Sequence, residues 1–179
     1  MRMAAPRIIQ GRAKGRVLRV PASGTRPSPA RLREALFDAL AFEPRGVFLD
    51  LYAGSGAVGL EAASRGWQAI LVERSGAAVR LLRENARTCG VDVRIVHGDA
   101  LRVAAELTGS VDVAFVDPPF ELDLVATFQA VLDLGVVRPG GRYVFQHPTG
   151  RTPALQVGGA AARIDTRRYG SNALSVVRV

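Results

Sequence analysis

The chain is short of the residues that build metal centres and crosslinks. Cys89 is its only cysteine, which excludes an intramolecular disulfide, and with only His97 and His147 beside it there is no Cys/His set for a zinc site. No metal is expected, and Cys89 reads as a small buried hydrophobe. Lysine is almost absent too. Lys14 stands alone, so the formal charge of +8 is carried by arginine. No stretch approaches the roughly 18 consecutive apolar residues of a membrane span. The opening Met1-Arg2-Met3-Ala4-Ala5-Pro6-Arg7 also lacks the apolar core of a secretory signal. A soluble, cytoplasmic, monomeric protein with no membrane partner is the expectation. The most informative absence is local: the first 33 residues contain no acid.

What those residues do contain is Arg2, Arg7, Arg12, Lys14, Arg16, Arg19, Arg26, Arg31 and Arg33. Planar guanidinium forks match phosphate oxygens, and such contacts give salt-dependent affinity without reading sequence. Nucleic acid is therefore the expected partner, bound by Arg7, Arg12, Lys14, Arg16, Arg19, Arg26, Arg31 and Arg33. The plainer reading of the same run is a solvated basic arm. Arg7-Ile8-Ile9-Gln10 and Arg16-Val17-Leu18-Arg19-Val20, separated by Gly11 and Gly15, read as a basic hairpin ahead of the main domain. The division is thus an arm over residues 1–24 and one domain over 25–179, where a hydrophobic content of 48% suffices for a single core.

The domain opens with a helix, with Ser28 expected as N-cap, Pro29 at the first helical position and Leu32, Leu36, Phe37 and Leu40 at helical spacing to about Phe42. Strands and helices then alternate. Strands are expected at 47–51, 69–73, 93–96, 111–116 and 141–146, with helices at 58–65, 77–88, 101–107 and 122–134 between them. This rhythm predicts a parallel sheet covered by helices on both faces, with ligands beyond the carboxyl ends of its strands. Residues 162–168 and 173–179, joined by Tyr169-Gly170-Ser171-Asn172, break the rhythm and predict a closing antiparallel pair.

Chemistry-bearing residues fall at the strand ends. Asp50-Leu51-Tyr52-Ala53-Gly54-Ser55-Gly56 lies where the first strand turns into a helix, and its glycines permit close backbone approach to a ligand at a helix N-terminus. A glycine turn alone also fits a dinucleotide site or a plain tight connection. Glu73, roughly 20 residues on, stands where a carboxylate reaches ribose hydroxyls in such folds. Asp99, in His97-Gly98-Asp99-Ala100, can accept from an adenine amino group. Singly, either acid would be an ordinary helix cap. In series they mark a cofactor edge. An acid at Asp50 suits a cofactor with an ammonium and a sulfonium and would repel a pyrophosphate, which favours S-adenosylmethionine over NAD.

Asp117-Pro118-Pro119-Phe120 ends the fourth strand. Two prolines hold the backbone extended and remove two N–H donors, so the loop presents acceptors only. Acceptors match an exocyclic amine, whose lone pair is tied up in its ring until its hydrogens are bound; Asp117 and the Pro118 carbonyl are placed to do this. Phe120 offers a face on which a base can stack. The structural alternative is a rigid turn with Phe120 in the core. His97 and His147 read as shaping the turns they stand in, Trp67 as covering the sheet edge, and Ser55 lacks the flanks of a nucleophile.

Together, Arg26-Pro27-Ser28, the run from Arg31 to Phe37, the glycine turn, Glu73, His97-Gly98-Asp99-Ala100, Asp117-Pro118-Pro119-Phe120 and Arg168-Tyr169-Gly170 resemble the bacterial 16S ribosomal RNA guanine-N2 methyltransferases that act on guanine 966. The resemblance covers nearly the whole chain. It implies an α/β, Rossmann-like class I methyltransferase fold with seven strands. It also implies S-adenosylmethionine held by Asp50, Tyr52, Ala53, Gly54, Ser55, Gly56, Glu73, Arg74, Asp99, Ala100 and Asp117, and a catalytic loop of Asp117, Pro118, Pro119 and Phe120. Phe120 stands where the family often has tyrosine, which keeps stacking and removes a hydroxyl. Ser28-Pro29-Ala30 stands where it often has Thr-Thr-Asp, which removes an acid at Ala30. The implied substrate is a guanine in 16S ribosomal RNA, presented by an assembling 30S particle. N6-adenine methylation of DNA or RNA stays open, because the same loop serves either amine, although no added groove-reading structure is visible. A non-catalytic RNA-binding assembly factor is the reading from another class, and the intact acids argue against it.

Overall fold

The computed structural model describes residues 5–21 and 27–179. Arg26, of the expected RNA-binding set, and the domain boundary at residue 24 lie outside them. Helix α1 (Ala30–Ala39) precedes the alternating part, β1 (Val47–Asp50), α2 (Ala57–Ser64), β2 (Gln68–Glu73), α3 (Gly76–Cys89), β3 (Arg94–His97), α4 (Ala100–Glu106), β4 (Val111–Val116), α5 (Leu124–Asp133) and β5 (Val137–Pro148). A short pair, β6 (Gln156–Val157) and β7 (Ala160–Ala161), stands apart, and β8 (Ile164–Tyr169) and β9 (Asn172–Arg178) close the chain.

Seven strands form one sheet in the order β3-β2-β1-β4-β5-β9-β8. β1 to β5 run parallel, and β9 lies antiparallel between β5 and β8. Near-continuous apolar runs such as Val111–Val116 suit strands buried on both faces. One face packs on α1, α2 and α3, through residues such as Leu36, Leu60 and Leu82. The other packs on α4 and α5, through Val103, Phe128 and Val131. Strand order reverses between β1 and β4. This switch point, where the flanking crossovers leave to opposite sides, opens a crevice at the strands' carboxyl ends. Asp50 closes β1 and Asp117 follows β4, so both acids stand at it.

The N-terminal stretch shares the core of the domain. Arg7 bridges Val17 antiparallel, and Ile8, Ala13 and Leu18 are buried in the α1–α3 layer. Its backbone is tied to α2: Glu61 accepts the N–H groups of Ile9 and Gln10 at 2.8 and 3.0 Å, and Ser64 Oγ accepts that of Ala13 at 2.9 Å. Gly11 comes so close that a Cβ there would lie 1.9 Å from the Ser64 carbonyl oxygen.

Two local expectations are corrected. Ser28 does not cap α1, whose N-cap is Pro29 with no side-chain bond; the Ser28 hydroxyl is drawn instead to Gln146 Oε1 at 3.1 Å. The helix also stops at Ala39, short of Phe42, and Phe42 is fully exposed. Among the described residues no helix is long and apolar enough to cross a membrane.

Candidate active site

The glycine turn is shaped by its own backbone. Ala53 N–H donates to the Val72 carbonyl at 2.9 Å, tying the turn to β2, and Gly56 N–H returns to the Ala53 carbonyl at 2.8 Å. Gly56, at φ 91°, is the N-cap of α2 and makes no side-chain cap bond. A Cβ at this position would lie 2.4 Å from Leu82 Cδ1, so backbone and packing both demand glycine. Asn85 braces the turn from α3 by donating to the Ser55 carbonyl at 2.8 Å.

Three acids converge on this turn. Asp50 Oδ2 accepts the Gly59 N–H at 3.0 Å, while Oδ1 is buried without a hydrogen-bond partner among the described residues. Burial pushes the Asp50 carboxyl up to about 7, the Gly59 bond pulls down against it, the nearby charges of Asp117 and Glu73 push it further up, and the Tyr52 N–H adds a weaker downward pull. Glu73 Oε2 accepts the Gly54 N–H at 2.9 Å and Oε1 that of Ser75 at 2.8 Å, which fixes the carboxylate beside the turn and leaves lone pairs for hydroxyl donors. An orphaned acid oxygen among like charges is a site for a cation that donates hydrogen bonds. The ammonium of S-adenosylmethionine has that chemistry, so these residues fit the group.

Asp99 is exposed and caps α4, with Oδ1 accepting the Arg102 N–H at 3.0 Å. Its other oxygen has no hydrogen-bond partner among the described residues. Ala100 begins α4 and is buried. Tyr52 is half-buried; burial raises its hydroxyl, as does the charge of Asp99 beside it, while Arg74 acts the other way. The exposed Arg74 offers its carbonyl to His97 Nε2 at 3.0 Å, so His97 ties the end of β3 to the turn that follows β2.

Asp117 is partly buried, and desolvation pushes its carboxyl up to about 7 against a hydrogen bond from Ser28 that lowers it. The Ser28 hydroxyl has one proton and two neighbours that accept. Ionised Asp117 takes that proton when Gln146 turns its amide N–H toward Ser28 Oγ. Ser28 and Gln146 are thus the buried residues behind Asp117 that the sequence reading missed. Pro118 is buried and Pro119 half-buried, whereas Phe120 is 83% exposed, so its ring is free for a ligand and is not core.

The expected RNA-binding residues do not form one surface. Arg7, Arg19 and Arg31 are exposed, with Arg19 paired to Glu84. Arg12 N–H bonds the carbonyl of Ser64, the last residue of α2, which places Arg12 and the adjacent Lys14 at the end of the domain away from the glycine turn. Arg16 is exposed, and its charge acts on Cys89 at the far end of α3. Arg33 is a correction: it is 1% exposed, lies 3.4 Å from Glu61, and donates to the carbonyls of Ser28 and Arg7. A side chain so enclosed cannot meet RNA.

The sheet order, the glycine turn at the switch point and the terminal antiparallel pair define a Rossmann-like class I methyltransferase fold. The family described as conserved hypothetical protein 95 matches residues 6–178, and the chain belongs to it. It is similar to ribosomal RNA small subunit methyltransferase D of Escherichia coli K12, at 42% identity over 123 residues that span 66% of this chain and 62% of that protein. It is also similar to YlbH of Bacillus subtilis, described as a putative rRNA methyltransferase, at 32% identity over 150 residues spanning 79% of this chain and 82% of that protein. Among solved structures, a hypothetical protein of Thermus thermophilus, TTHA0928, superposes with a TM-score of 0.86 at 48% identity, covering 97% of this chain and 99% of that one.

Proposed function

We propose that the chain is an S-adenosylmethionine-dependent methyltransferase acting on the exocyclic N2 of a guanine in 16S ribosomal RNA, as a cytoplasmic monomer on an assembling 30S particle. The observation that carries the reading is the pairing of Asp50 and Asp117 at the switch point, one suited to a cationic cofactor and the other to an amine. The names of the relatives support the substrate class, ribosomal RNA.

In this reading Asp50 would hold the cofactor's ammonium, with the turn from Tyr52 to Gly56 offering it backbone groups. Glu73 would accept from the ribose hydroxyls, and Asp99, with Ala100 and Arg74, would serve the adenine. When bound, S-adenosylmethionine supplies an electrophilic methyl on a sulfonium that departs as a neutral thioether. Asp117 and the Pro118 carbonyl accept hydrogen bonds from the two amine hydrogens, which localises the nitrogen lone pair toward the methyl. Pro119 keeps the loop extended, and Phe120 stacks on the base. Ionised Asp117, made a better base by the burial that pushes its carboxyl up to about 7, then takes up the proton that the amine loses. Most of the acceleration comes from positioning. Arg7, Arg19 and Arg31 contact phosphates.

The test supplies labelled S-adenosylmethionine with 30S particles, free 16S RNA and DNA, and identifies the modified nucleoside. N2-methylguanine in ribosomal RNA is expected. Label in N6-methyladenine overturns the substrate, and no label in any acceptor overturns the activity.

A further inference from the structure

A second concavity lies beside the loop, on the α5 face of the sheet. Leu124, Val125 and Phe128 from α5 and Pro148, Arg151 and Pro153 from the segment after β5 enclose a cavity of about 430 Å³, within the range of small-ligand sites. None of Asp117 to Phe120 lines it, so a base whose amine rests on Asp117 is not the occupant. The elements that line it nonetheless adjoin that site, because only three residues separate the loop from α5 and β5 runs beside β4. Its floor is chemically quiet: His147 has one ring nitrogen 2.9 Å from the Pro148 carbonyl and the other 2.7 Å from Ser175 Oγ. The walls are apolar, with Val125 39% exposed, and no acid lines the cavity.

The rim is cationic. Arg151 is exposed with no hydrogen bond or ion pair among the described residues. Arg168 stands opposite Ala173, which stands opposite His147. Residues directly opposite in antiparallel pairs share a face, so Arg168 projects on the cavity's side two strands away. Apolar walls beneath Arg151, with Arg168 further along the same face and both guanidinium groups unpaired among the described residues, fit a flat base with its phosphate.

The geometry points to this cavity as the seat of a second, unstacked nucleobase, a neighbour of the target in the same RNA strand, with its phosphate on Arg151. The inference rests on the methyltransferase reading for the position of the target base. Its test is binding. Arg151→Ala and Val125→Glu are each expected to weaken binding of free 16S RNA about tenfold. Both should raise KM for RNA more than they lower kcat and leave affinity for S-adenosylhomocysteine unchanged. Arg151→Ala should also reduce the slope of log affinity against log salt by about one. RNA binding equal to wild type in both variants overturns the proposal, even where methylation proceeds. A loss seen with 30S particles but not with free RNA overturns it as well and assigns the cavity to a ribosomal protein segment. If the wild type methylates nothing, the proposed function fails, and the binding and salt-slope measurements still decide the cavity.

Discussion

The Asp50 carboxylate is held mainly from one side: the Gly59 N–H meets Oδ2 at 3.0 Å, and the buried Oδ1 has no hydrogen bond of normal geometry among the described residues. Gly59 leaves no room for a side chain, since a Cβ there would lie 2.4 Å from Leu71 Cγ and either the leucine or the donor would have to shift. The donor and the void together set the acid's role. Asp50→Asn keeps the shape and removes the charge, and losing one partner of a buried charge pair costs about 2 kcal/mol or more. S-adenosylhomocysteine, which carries the same ammonium, should therefore bind at least about 30-fold more weakly to the variant by calorimetry. Wild-type affinity should climb about tenfold per pH unit below 7 and level off above it, because the acid must lose its proton to pair with a cation. In Asp50→Asn the pH dependence should flatten.

The same acids shape the stability of the ligand-free protein. Asp50 and Asp117 both titrate near 7 when folded, far above an exposed aspartate. Between about 4 and 7 the native state keeps protons that the unfolded chain has released, so stability falls as pH rises across that window. Below it both states are protonated, and above it the penalty is complete. Thermal unfolding without ligand should give a higher Tm at pH 5 than at pH 7.5, and Asp50→Asn should shrink the difference. A Tm that rises over this interval would mean that neither acid is held neutral by burial.

Asp117 gives a kinetic counterpart. With cofactor saturating, so that Asp50 is already paired, the methyl-transfer rate should rise with pH through a single limb near 7, as ionised Asp117 becomes available to the amine and its proton. Asp117→Ala should abolish transfer while keeping cofactor affinity within about tenfold, a loss of roughly 1.4 kcal/mol. Ser28→Ala removes the hydrogen bond that favours the ionised acid, so its limb should move to higher pH with the plateau largely kept. A merely structural role for Ser28 would lower the plateau and leave the limb where it was.

The strand ends were legible because chemistry and periodicity coincide there. Val111–Val116 is an apolar run broken only by Asp112 and closed by Asp-Pro-Pro, and its observed bounds match the expected ones. Ser28 was legible in kind but not in role. Ser-Pro is a common helix start, and nothing local reveals that Gln146, 118 residues on, competes for the hydroxyl. Arg33 failed for the same reason: its charge is visible in sequence, while its partner Glu61 lies on a different helix. β6 and β7 escaped because each is two residues long, although Gly158 and Gly159, both at positive φ, are the mark of a tight hairpin turn. Arg151 sits in a Gly/Thr/Pro-rich stretch without periodicity, so its place beside α5 appears only when the sheet is assembled.

Glu61 sustains the N-terminal stretch. Fully buried on α2, it accepts from Ile9, Gln10, the Arg65 guanidinium and, at 3.4 Å, the Arg33 guanidinium, which desolvation already makes less basic. Glu61→Ala leaves Arg33 buried without its counter-charge and two backbone donors unmatched. Removing one partner of such a pair typically costs about 3 to 5 kcal/mol, which should appear as a lower urea midpoint. Glu61→Gln keeps an acceptor oxygen and should cost less. The location of the damage is also testable, since Arg12, Lys14 and Arg16 are exposed trypsin sites within the tethered hairpin. In Glu61→Ala, cleavage there should outpace cleavage in the rest of the domain, because the hairpin loses its Glu61 tethers and keeps the bonds to Ser64 and the burial of Ile8, Ala13 and Leu18. Cleavage and urea midpoint both equal to wild type would mean that the Ser64 bonds and these three apolar side chains hold the segment without Glu61.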